Sequence, residues 1–201
     1  MAENLNAEEA EKLVVYDFNP NSLPDDYLKA IGLVITGGSQ TDHIMRDFIG
    51  CLLGIDNAET IALGAHMSMP MKDDIIRAIV ELNAPSASEV DVLDDILDTI
   101  KEAMALRNAI AHNAFAIHPT TKEIYSMREK ARGSLQVDFT VIKVDEIFAV
   151  ADSVYQAGMA LQEFMISRQM GPIFRQKALH EPLNRKKKAR ADRRAKYGEK
   201  Y

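Results

Sequence analysis

A long stretch of apolar residues at helical spacing follows the N-terminal segment, contains no proline, and limits the fold more than any other feature. Its apolar-face positions recur every three to seven residues: Tyr27, Ile31, Val34, Thr41, Met45, Phe48 and Leu52. Because residues at such spacing share one face of an α-helix, the sequence predicts a single helix from about Pro24 to Leu53. Ser22 is the predicted N-cap, and Asp25 and Asp26 suit the first turn.

The pair Gly37-Gly38 lies in the middle of this predicted helix. Each glycine costs a helix roughly 1 kcal/mol relative to alanine. The pair therefore predicts either a kink or a place where another backbone comes very close, such as a dimer interface.

Three more helical patterns follow before residue 113. Asp56 and Glu59 have the spacing of a capping box ahead of a short helix at about 58–63. Ser68 precedes a second pattern, and Ser86 with Glu89 matches the capping box more closely ahead of a third. The apolar face of this third helix carries one charged residue, Arg107. The whole face consists of Leu93, Ile96, Leu97, Ile100, Met104, Arg107 and Ala111. Asn113 is its predicted C-terminal stop.

Short β-tolerant segments replace the helical pattern after this point, at 114–117, 123–127 and 135–141. The last alternates apolar and polar residues, which is the period of a strand. Helical spacing then returns from about Val144 to Arg168. The predicted fold is mainly α, an antiparallel bundle of four to five helices with a small β-hairpin or meander insertion. We expect a flexible segment at 1–21, one helical domain at 22–171 and a basic, disordered tail at 172–201.

The charge is divided unevenly between body and tail. Residues 175–201 hold 11 Lys or Arg and 3 Asp or Glu, a charge of +8, whereas residues 1–174 carry 13 and 27, a charge of −14. Cations in such a run neutralise phosphates, so the tail is a candidate RNA-binding segment. The candidate residues are Arg185, Lys186, Lys187, Lys188, Arg190, Arg193 and Arg194. The alternative is a tail that is merely solvated or that folds onto the acidic body.

Several classes of protein are excluded by what the sequence lacks. No apolar run is long enough to cross a bilayer, and the acidic N-terminus does not resemble a signal peptide. The single cysteine, Cys51, favours core filling in a reducing cytoplasm. The five histidines offer no i, i+4 pair and there is no Cys-x-x-Cys motif, so we expect no metal. No glycine-rich phosphate loop is present, and no cofactor is expected.

One group of residues in the sequence has side chains suited to catalysis: Arg107, Asn108 and His112. Arginine binds phosphate through two donors at once, and histidine exchanges a proton near neutral pH. Asn108 and His112 are four residues apart and share a helix face, whereas Arg107 lies on the neighbouring flank. The spacing makes Asn108 a candidate to orient the imidazole. These side chains suffice for cleaving a phosphodiester without a metal.

The arrangement Arg107-Asn108-x3-His112 resembles the motif of the HEPN superfamily, and the likeness extends over about Pro24 to Arg168. It implies a homodimeric endoribonuclease in which the motifs of both protomers line one cleft, with Arg107 and His112 catalytic and Asn108 assisting. RNA is then the substrate, and an antitoxin or other regulatory protein is a further partner, as in toxin and anti-phage systems. HEPN toxins that are modified by a nucleotidyltransferase carry a tyrosine two residues after the histidine. Here that position is Ala114, which argues against such control.

Two other interpretations of the same residues remain open. Arg107 would have a structural role if it paired with Asp98 or Glu102, and His112 would have one if it capped its helix. The chain would then be a non-catalytic helical interaction module, binding a partner protein or nucleic acid through the cleft or the Gly37-Gly38 face.

Overall fold

The computed structural model describes residues 15–82, 86–130 and 136–174. It contains the helices α1 (Asp25–Leu53), α2 (Asn57–Gly64), α3 (Met69–Leu82), α4 (Ala87–His112) and α5 (Val144–Ser167). Strands β1 (Ala114–Ile117), β2 (Ile124–Lys130) and β3 (Gln136–Val141) lie between α4 and α5 and form an antiparallel meander in the order β1-β2-β3. The predicted class, mainly helical with a small β insertion, is confirmed. The seven candidate RNA-binding residues of the tail lie outside the described residues.

The helix α1 begins within one residue of the predicted start, but its N-cap differs from the prediction by two residues. Ser22 ends a 3₁₀ turn (Pro20–Ser22), and Pro24 occupies the N-cap position with φ −58° and ψ 148°. The carbonyl of Pro24 accepts from the N–H groups of Tyr27 and Leu28 at 3.0 and 3.2 Å. Because the proline ring already restricts φ, this residue directs the chain into the helix without a side-chain cap. The prediction that Ser22 caps α1 was therefore wrong.

Both predicted capping boxes begin helices in the structure. At α2, Asp56 Oδ1 accepts from the Glu59 N–H at 3.0 Å and Glu59 Oε2 accepts from the Asp56 N–H at 3.2 Å. At α4, Glu89 Oε2 accepts from the hydroxyl and the N–H of Ser86 at 2.9 and 3.2 Å. These bonds to Ser86 hold the pKa of Glu89 below its ordinary value.

The close contact between α1 and α5 explains Gly37. The helix α1 continues through both glycines, and a Cβ at position 37 would lie 3.5 Å from Val154 Cγ1 and near the α5 backbone. Thr41 Oγ1, buried in the same contact, lies 3.0 Å from the carbonyl of Gly37 and 3.2 Å from that of Val154. Gly37 and Gly38 are both buried within the protomer. The expectation that they form a face for a dimer or another protein was therefore wrong.

Gly158 on α5 completes this contact and supplies a stability prediction. A Cβ there would lie 2.5 Å from Thr41 Oγ1 but 3.4 Å from Thr41 Cβ. Gly158→Ala is therefore expected to lower the free energy of unfolding by about 1–3 kcal/mol through overpacking. Urea unfolding should show a smaller loss for Gly158→Ala in a Thr41→Ala background than in the wild type, since the clashing hydroxyl is gone. Equal losses in both backgrounds would contradict this packing.

The core is a set of fully buried apolar side chains from α1, α3, α4 and α5. In the main cluster the largest are Met45, Phe48, Ile49, Ile76, Leu93, Leu97, Ile100, Val154 and Leu161, and a second, smaller cluster contains Val34 and Ile147. Cys51 packs at the edge of the main cluster, where burial and the charge of Asp47 raise the pKa of the thiol. No helix in the described ranges has the length and apolar character needed to span a membrane.

Candidate functional site

A groove opens where the C-terminal end of α4 meets the sheet. Its volume is about 540 Å³, and all the side chains that line it are small or polar except that of Met127. The lining residues are Ala105, Asn108, Ala109, His112, Asn113, Ala114, Met127 and Arg128. One wall is the last two turns of α4 with the residue that follows it, and the other is β1 with β2. Two of the three predicted catalytic residues, Asn108 and His112, therefore lie in one cavity.

Asn113 joins the two walls of the groove. Its N–H donates to the carbonyl of Ala109 at 3.1 Å and closes α4, as the sequence predicts for a C-terminal stop. Its backbone is extended, with φ −76° and ψ 145°, and leads directly into β1. Its side-chain Nδ2 donates to Ser126 Oγ on β2 at 2.9 Å. The end of the helix is thereby fixed to the middle of the sheet.

His112 is the last residue of α4 and is exposed to solvent. Among the described residues its ring has no hydrogen-bond partner. Asn108, one turn earlier, lies on the same groove wall, as the four-residue spacing predicts. However, Asn108 Oδ1 accepts from Arg107 Nη1 at 3.1 Å, so the amide contacts the guanidinium rather than the imidazole.

The absence of a side chain at Gly38 leaves the space that the Arg107 side chain occupies. A Cβ at position 38 would lie 2.8 Å from Arg107 Nε, 3.0 Å from Cγ and 3.2 Å from Cδ. The stem of the arginine therefore lies directly on the bare backbone of α1, and only the tip reaches the side of α4 that carries Asn108. This contact between α1 and a side chain of α4 accounts for the second glycine of the pair.

The Arg107 guanidinium is poorly satisfied where it lies. Its Nε is buried and has no hydrogen-bond acceptor among the described residues. A buried donor without a partner costs about 1–3 kcal/mol. Leaving this one N–H unpaired therefore lowers the free energy of unfolding, whereas Nη1 is bonded to Asn108.

The structural interpretation of Arg107 required a carboxylate partner, and the described residues give it none. Asp98 instead accepts from Arg77 Nη2 at 2.8 Å, within a network in which Arg77 also binds Asp73 and Asp94. Glu102 forms no ion pair in the described part of the chain. The expectation that Arg107 pairs with Asp98 or Glu102 was therefore wrong.

Arg128 is a groove residue that the motif does not include. It is exposed on β2, two residues after Ser126, and lies opposite Asp138 of β3 in the strand register. Strand alternation places Ile124, Ser126 and Arg128 on one face, and the first two are buried at 5% and 8% exposure. The alternation alone would have placed Arg128 on the same strand face as Ser126. The sequence gives no sign, however, that this face docks against α4. The groove lining thus holds a guanidinium and an imidazole and no carboxylate.

The other described histidines lie away from the groove. His43 and His66 are exposed on or after other helices. His118 Nδ1 accepts from the N–H groups of Thr120 and Thr121 in the turn that follows β1. In the described ranges, no cluster of three or more His, Cys, Asp or Glu side chains has the arrangement of a metal site.

Comparison with models of protein families, with curated proteins and with solved structures gave no match. The likeness to HEPN proteins therefore depends on the motif residues and their setting.

Proposed function

We propose that this protein is a metal-independent endoribonuclease of HEPN type. The observation that carries the proposal is Arg107, a permanent cation that the fold accommodates with a glycine and leaves partly unsatisfied. Residues that break a packing rule without a structural benefit are expected at functional sites. The guanidinium contacts Asn108, which lines the groove together with His112, whereas Arg107 itself is not among the lining residues.

The chemistry proposed for the groove is internal transesterification of RNA. The ribose 2′-oxygen attacks the adjacent phosphorus while the bond from phosphorus to the 5′-oxygen breaks, giving a 2′,3′-cyclic phosphate and a 5′-hydroxyl. A neutral imidazole accepts the proton of the 2′-hydroxyl, and a protonated imidazole donates one to the leaving oxygen. The Arg107 and Arg128 guanidinium groups stabilise the charge on the phosphoryl oxygens. DNA lacks the attacking hydroxyl and is not a substrate.

Two imidazoles are needed for this proton transfer, and each protomer supplies one at its groove. We therefore propose a homodimer in which two copies of Arg107, Asn108 and His112 line a shared cleft. The exposure of His112 leaves it accessible to a second protomer. The cations of the 175–201 tail would help collect RNA onto an otherwise acidic protein.

The proposed setting is the cytoplasm, in a toxin or anti-phage system in which an antitoxin or another regulatory protein keeps the nuclease silent. This proposal is based on the resemblance of the motif to that of HEPN toxins. Because Ala114 stands where modified HEPN toxins carry a tyrosine, we expect regulation by a means other than tyrosine modification.

The test is incubation of the purified protein with an end-labelled single-stranded RNA in excess EDTA. We expect cleavage that leaves a cyclic phosphate and a 5′-hydroxyl, with a DNA of the same sequence left intact. A protein that is dimeric and folded but cuts none of a varied set of RNAs would contradict the proposal and favour the interaction module.

Arg128 offers a test of the groove itself. Arg128→Ala is expected to reduce cleavage about 10- to 100-fold, because one charge-assisted contact to phosphate is lost. Lys29→Ala is the matched control, since Lys29 is exposed on α1 and its loss changes the net charge equally. Steady-state cleavage rates for the two variants should differ clearly. Equal effects would mean that Arg128 acts only through the overall charge.

A further inference from the structure

A second pocket adjoins the groove along α4. Its volume is about 280 Å³, and the residues that line it come from α1, α3 and α4: Met45, Met69, Pro70, Asp73, Asp74, Leu97, Ile100, Lys101, Met104, Ala105 and Asn108. Ala105 and Asn108 belong to both cavities. The two cavities are therefore neighbours along α4.

The two cavities differ in chemistry. The floor of the second is apolar, with Met45, Leu97 and Ile100 each only 1% exposed. Its polar side chains are the carboxylates Asp73 and Asp74, the ammonium group of Lys101 and the amide of Asn108. The groove, by contrast, has His112 and Arg128 in its lining and no carboxylate.

A nucleotide has the same division into two parts. Its phosphate requires cations and is repelled by carboxylates, whereas its base is flat, largely apolar and carries hydrogen-bonding groups at its edge. An apolar pocket beside a phosphate site is suited to hold the base that follows the phosphate. Asn108 lies about 6 Å from His112 along the helix axis, which puts the two parts within reach of one nucleotide.

The carboxylates of this pocket favour particular bases. Asp74 is exposed and has no hydrogen bond or ion pair among the described residues, while Asp73 accepts from Arg77 Nε through Oδ1 alone. An ionised carboxylate only accepts hydrogen bonds. At Asp74 it therefore suits the amino groups of adenine and cytosine and opposes the O4 acceptor of uracil. Lys101, in the same lining, donates to acceptors that all three bases carry, so Asp74 is the group that distinguishes them.

We propose that this pocket binds a nucleobase next to the phosphate in the groove and prefers adenine or cytosine over uracil. The inference rests on the proposed ribonuclease function and names the base that the site selects. Asp74 sets the preference, and the buried floor formed by Met45, Leu97 and Ile100 receives the ring.

The experiment measures binding separately from cleavage. Fluorescent 2′-O-methyl oligonucleotides of A, C or U cannot be cut, and their affinities for the full-length protein are obtained from anisotropy. We expect A and C to bind about tenfold more tightly than U. Asp74→Asn should bring the three affinities close together, because an amide both donates and accepts. Asp91→Asn, an exposed aspartate on α4 outside the pocket, is the matched control and should keep the preference.

The outcomes separate the two proposals. Cleavage of RNA by a wild-type protein that binds A, C and U oligonucleotides equally would overturn the base pocket and leave the nuclease standing. A preference for A and C that is lost only in Asp74→Asn, in a protein that cuts no RNA, would support the pocket and overturn the nuclease. Retention of the preference in Asp74→Asn would also overturn the pocket.

Discussion

Replacing His112 with alanine is expected to slow RNA cleavage by about 10²- to 10⁴-fold, the usual contribution of a general acid or base. The temperature of unfolding should hardly change, because the side chain is exposed and has no partner among the described residues. End-labelled RNA cleavage and a thermal melt of the same preparation provide both numbers.

The matched control for this variant is His66→Ala, another exposed histidine, which lies between α2 and α3. It should cut RNA like the wild type. If His112→Ala retained full activity, the imidazole would have no part in the reaction and the proposed mechanism would be wrong.

Replacing Arg107 with methionine is expected to abolish detectable cleavage and yet stabilise the protein. Methionine keeps an unbranched stem over Gly38 but removes the buried Nε that has no acceptor. We expect the free energy of unfolding to rise by about 1 kcal/mol, the lower end of the cost of an unpaired buried donor. Chemical unfolding followed by circular dichroism measures the change.

A structural role for Arg107 predicts the opposite sign. If the guanidinium held the fold together, Arg107→Met would unfold at a lower denaturant concentration than the wild type. Arg107→Lys separates charge from geometry, because lysine keeps the cation but lacks the fork that binds two phosphate oxygens. We expect it to recover only part of the lost activity.

The sequence predicted the helices well because their signals are local. The capping boxes at Asp56 and Ser86 and the spacing of apolar residues in α1 each depend on neighbours within one or two turns. The N-cap of α1 was assigned to the wrong residue because Pro24 performs, through its fixed backbone, the role that Ser22 was expected to perform through its hydroxyl. Both residue types mark a helix start, and only the structure shows which one is used.

The site was less accessible to sequence reasoning because its contacts are non-local. The residues of the motif were named correctly as neighbours on α4, but the amide of Asn108 has Arg107 and His112 within reach, and side-chain conformation decides between them. Arg128 joins the groove only because β2 docks against α4 through Asn113 and Ser126. Likewise, nothing near Gly38 in the sequence indicates that a side chain 69 positions later rests on it.

The contact between Gly38 and Arg107 has an evolutionary consequence. In a homologue that keeps the arginine, selection for its placement would restrict position 38 to glycine, even though that glycine weakens the helix. A homologue that has lost the arginine is released from this restriction and gains helix stability by acquiring alanine there. Covariation of positions 38 and 107 would therefore distinguish lineages that retain the arginine from lineages in which the same helical bundle has acquired a different function.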